Sequence, residues 1–72
     1  MQQENFHIGQ HIRQILRLQG VTVTTLAEQI HTTRTNMHKI LNKENIDVEL
    51  LKSISKALNH DFFKDISDNG LL

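Results

Sequence analysis

The sequence predicts an all-α fold, a compact four- to five-helix bundle. Apolar residues recur three and four positions apart in successive short segments, the segments are punctuated by Thr, Asp, Gly and Asn, and no run alternates with the period of a strand. Ile8, Ile12, Ile15 and Leu16 define one face of a first helix about three turns long, which Gly20 stops. Thr22 caps a short second helix that places Leu26, Ala27 and Ile30 on one side. His31 and Thr32 then fill a gap before Thr33, the cap of a third helix that runs to about Asn42 and carries Met37, Ile40 and Leu41. After a loop ending near Ile46, Asp47 caps a fourth helix carrying Val48, Leu50, Leu51, Ile54, Ala57 and Leu58, and Asn59 marks its C-terminal turn. Asp61 opens a short fifth element bearing Phe62, Phe63 and Ile66, and residues 67–72 read as a frayed tail.

Composition narrows the function classes. The 72 residues read as a single domain, 1–72, which buries only about 60% of its unfolded surface, so every large apolar side chain is needed for folding. With no Trp, no Tyr and three Phe, a deep pocket for an organic cofactor is hard to build, and an enzyme is disfavoured. The absence of Cys excludes a disulfide framework, a thiolate metal site and thiol catalysis, and suits a reducing cytosol. No stretch approaches the roughly 18 apolar residues of a membrane span, so a soluble cytoplasmic chain without a membrane partner is expected. His7 and His11 stand four apart, which lets two rings share an ion, but no zincin glutamate or third ligand accompanies them. They read as exposed first-turn histidines, and no catalytic residue, metal ligand or cofactor is assigned.

The net charge of +0 conceals a division. From Met1 to Lys43 five bases face two acids, a net +3, whereas from Glu44 to Leu72 three bases face six acids, a net −3. Between Glu28 and Glu44 there is no acid at all. Such a one-sided field orients a molecule on a polyanion even when its total is zero.

The gap between Ile30 and the helix capped by Thr33 forces two short helices to cross steeply. At about 100° per residue, Arg34, Thr35, His38, Lys39 and Asn42 gather opposite Met37, Ile40 and Leu41. Arg and Lys pair with guanine, Asn with adenine, and the Thr methyl meets thymine, so this face has the vocabulary of major-groove readout. Amides at the helix starts after Thr22 and Thr33 suit phosphates.

Gly20-Val21-Thr22, Leu26 to Ile30 and Thr33 to Met37 resemble the helix-turn-helix, here about 22–42, of lambda-repressor-like (Xre/Cro) transcriptional regulators. Ile8-Gly9 and Ile12-Arg13 are similar to that family's first helix, and Asp47 to Leu58 to the helix after the recognition unit. The resemblance implies a DNA-binding regulator, acting as a repressor and as a homodimer on a double-stranded operator. It places base reading on Arg34, Thr35 and Lys39, flanked by Asn36 and His38, and phosphate contacts on Thr22, Val23, Thr33, Asn42 and Lys43. Some positions depart from the family's pattern. Val23 replaces a frequent glutamine, His31 a left-handed glycine, Thr32 an apolar turn residue, and Leu16 and Leu41 replace an arginine–glutamate pair. Because an apolar pair of suitable volume substitutes well for a buried ion pair, Leu16 and Leu41 are expected to touch.

The rival reading is a protein-interaction or antitoxin-type module. Phe62, Phe63, Ile66, Leu71 and Leu72 would give it an apolar C-terminal end for a protein partner; the alternative is that the phenylalanines simply close the bundle.

Overall fold

The computed structural model describes residues 7–68, which form α1 (Ile8–Gln19), α2 (Val23–Gln29), α3 (Arg34–Asn42), α4 (Val48–Leu58) and α5 (Phe62–Asp68), with no strand among them. Each start is capped by a side chain that accepts a backbone N–H three residues on: His7 from Gln10, Thr22 from Thr25, Thr33 from Asn36, Asp47 from Leu50 and Asp61 from Lys64. The cap on α1 assigns His7 a structural task that spacing alone did not reveal. At the other end of the chain, α5 carries Ser67 and Asp68 as helix, where the sequence reads as frayed.

Helices α1, α2 and α4 end alike. Gly20, His31 and Asn59 have φ of 71°, 62° and 51°, and in each case the next residue's N–H reaches back to the last turn: Val21 to Leu16, Thr32 to Ala27, His60 to Ser55. Glycine adopts this left-handed conformation freely and asparagine does so with modest cost, but His31 does so under strain. The strained end is the one that sets the turn between α2 and α3.

The core is a single cluster drawn from all five helices, with Ile12, Leu26, Met37, Leu41, Ile54 and Phe62 fully enclosed. Leu16 and Leu41 both belong to this buried cluster. Phe62 closes the bundle, and Phe63 and Ile66 are half-buried against it, so these three offer little free surface for a partner. Leu71 and Leu72 lie outside the described residues.

Helix α3 packs against both α1 and α2, and α2 also packs on α4. At the α1–α3 crossing, a Cβ on Gly9 would stand 1.8 Å from the Leu41 carbonyl oxygen, so the two backbones touch with no side chain between them. Helix propensity alone favours Gly9→Ala by about 1 kcal/mol. The clash reverses that sign, and Gly9→Ala is expected to destabilise the fold by at least about 2 to 3 kcal/mol in urea denaturation. His31→Gly should act the other way. It releases a left-handed penalty of about 1 to 2 kcal/mol and frees the unfolded chain by about 0.5 to 1 kcal/mol. A gain of roughly 0.5 to 1 kcal/mol is therefore expected in the same measurement; a loss would mean that the imidazole holds the turn.

Candidate nucleic-acid interface

The face of α3 turned from the core is set by helix geometry. Met37 and Leu41 are buried, Ile40 is half-buried, and Arg34, Thr35, Asn36, Lys39 and Asn42 are exposed. Among the described residues, the side chains of Arg34, Thr35 and Lys39 have no hydrogen-bond or ion-pair partner, and no carboxylate pairs with Lys43. Their donors point into solvent, ready for an external acceptor.

The two remaining base-reading candidates are already engaged. The Asn36 amide group donates to the Thr32 hydroxyl at 2.8 Å, folding the side chain back over the start of α3. His38 is half-buried, and its Nδ1 lies 3.3 Å from an Arg13 guanidinium nitrogen; because arginine only donates, that ring nitrogen accepts. The helical wheel explains this. His38 precedes Leu41 by three positions, about 60° round the helix, and so stands at the border of the core rather than at the crest. Only its Nε2 remains for an outside partner.

Arg13 was not singled out in the sequence as part of this face. From α1 its second guanidinium nitrogen also donates to the Asn42 Oδ1 at 3.0 Å, so one side chain braces two residues on the C-terminal half of α3. With Oδ1 occupied, Asn42 presents its NH2, a donor suited to a phosphate oxygen. The available signal was that Arg13 follows Gly9 by one helical turn, on the side where α1 meets α3.

The Thr22 hydroxyl accepts the Thr25 N–H at 3.1 Å and donates to the Thr25 hydroxyl, while Val23 is half-buried and contributes its amide alone. Thr33 caps α3 in the same extended conformation, and Lys43 follows its last turn, exposed. No acid falls between Glu28 and Glu44, so the whole segment that includes α3 carries cations only.

A separate cluster corrects the reading of His11 as an exposed residue. His11 on α1 is half-buried, and its Nε2 lies 2.7 Å from the Asp65 Oδ2, while His60 Nε2 approaches the same oxygen at 2.6 Å. It is these residues, not His7 with His11, that the fold brings together as potential metal ligands. Burial of the Asp65 carboxylate favours its protonated form. The hydrogen bonds from His60 and His11, reinforced by their charge, outweigh that and hold its pKa below the ordinary carboxylate value.

Among the described residues, no helix is long and apolar enough to cross a membrane. Neither a curated protein nor a solved structure matches the chain. A family model describing the Cro/C1-type HTH DNA-binding domain does match, over residues 11–68. That span takes in α2 and α3 with their turn, the whole of α4 and α5, and all but the first turn of α1, and the chain accordingly belongs to the Cro/C1-type HTH DNA-binding domain family.

Proposed function

We propose that this domain is a sequence-specific transcriptional regulator that lays α3 in the major groove of a double-stranded operator and represses by occupying it. The observation that carries the reading is the crest of α3, where Arg34, Thr35 and Lys39 are exposed and unpartnered on a face without acids. In this reading Arg34 and Lys39 address guanine and Thr35 meets a thymine methyl. Asn36 joins by releasing Thr32, and His38 contributes through Nε2. Thr22, Val23, Thr33, Asn42 and Lys43 hold phosphates and fix the register, with Asn42 aimed by Arg13. The protein acts in the cytosol as a two-fold homodimer on half-sites about 34 Å apart.

Selection from a random duplex library tests the reading directly. A palindromic consensus with that half-site spacing is expected, and no enrichment would overturn it. On the selected operator, Arg34→Ala should cost about 1 to 3 kcal/mol and relax preference at one base pair. Lys43→Ala should weaken all sequences alike and reduce the salt slope by about 1. Uniform loss in both variants would remove Arg34 from base readout. Because the chain's net charge is +0, binding to random DNA should be weak and its salt dependence shallow. A steep slope on random duplex would contradict this.

A further inference from the structure

We propose that His11, His60 and Asp65 form a binding site for one divalent transition-metal ion, with zinc as the best-matched ion, which fastens α1 to α5 from the face of α1 opposite the one that meets α3.

Three separate parts of the fold supply the ligand atoms. His11 comes from α1, His60 from the link between α4 and α5, and Asp65 from α5. The two Nε2 atoms and a carboxylate oxygen all lie within 4.8 Å of one another, and both nitrogens converge on the same Oδ2. Two imidazoles and one carboxylate are a donor set suited to zinc, and the lack of thiolate disfavours softer ions.

The dimensions are close to those required. Zinc–nitrogen and zinc–oxygen bonds of about 2.0 to 2.2 Å put tetrahedral ligands roughly 3.3 Å apart. The two nitrogen–oxygen contacts, 2.7 and 2.6 Å, therefore open by roughly 0.6 to 0.7 Å as the ion enters. Any proton on Nε2 is displaced as the metal bond forms, moving to Nδ1 of a neutral ring or leaving to solvent from a protonated one. Water supplies the fourth ligand, since the three side chains keep 22%, 29% and 23% of their surface exposed.

The surroundings limit how the ligands can move. The rings of His11 and His60 stand 5.9 and 4.5 Å from that of Phe62, which is itself fully enclosed, so an apolar wall backs the site. His11 is two positions from Arg13, about 160° round α1, while Arg13 faces α3. The ion thus adds to the bundle without masking the crest of α3.

The experiment is titration of the 72-residue chain with Zn(II), followed by calorimetry and thermal unfolding, and with Co(II), followed by visible absorption. One equivalent should bind, raise the unfolding midpoint, and give the intense d–d bands of a four-coordinate nitrogen–oxygen site. His60→Gln and Asp65→Asn, each confirmed as folded by circular dichroism, should weaken zinc at least about 100-fold. His7→Ser, which keeps a side-chain cap on α1, should bind zinc as the parent does. Absence of stoichiometric binding would overturn the proposal, as would binding that survives both cluster variants or is lost in His7→Ser. The readouts are independent of DNA, so failure here is distinguishable from failure of the operator reading.

Discussion

The arrangement depends on the contact of two backbones. Where α1 crosses α3, Gly9 admits the Leu41 carbonyl at a distance no side chain would permit. That approach seats α3 deeply enough for Met37 and Leu41 to reach the common core and for Arg13 to span to His38 and Asn42. From the other side the left-handed turn at His31 delivers the chain from α2 into the Thr33 cap. The orientation of the exposed crest is thus the outcome of one steric allowance and one strained turn, with the apolar cluster holding both in place.

Much of this was legible in the sequence because the information is local. Thr22, Thr33 and Asp47 cap helices, Gly20, His31 and Asn59 end them, and the spaced apolar positions of α1, α3 and α4 turn inward, except that Val48, at the first position of α4, stays 60% exposed. Exposure of Arg34, Thr35 and Lys39 follows from the same period of about 3.6 residues. The misses share a physical cause. Arg13 meets Asn42 across 29 positions, and His11 meets Asp65 across 54, so neither partner can be found by stepping along a helix. At Phe62 the sequence left two readings open, a partner surface or closure of the bundle, and only the packed bundle shows that the ring is roofed over.

His38 illustrates the limit of a wheel drawn on one helix. Its angular position allowed it a place among the polar residues, yet a neighbouring helix supplies a guanidinium that claims one ring nitrogen. Two-sided elements carry border residues whose role is decided by the partner and not by their own helix. Asn42 is the favourable counterpart, since the same guanidinium leaves its amide donors outward.

Bracing along α3 is therefore unequal. Its last turns are tethered through Arg13, whereas Arg34 near the first turn retains its rotamers. Ordering a long side chain of that kind costs up to about 2 kcal/mol of entropy, while an amide already held in place adds almost nothing. A ligand spanning the rod would meet a rigid socket at one extremity and a compliant, self-adjusting arm at the other.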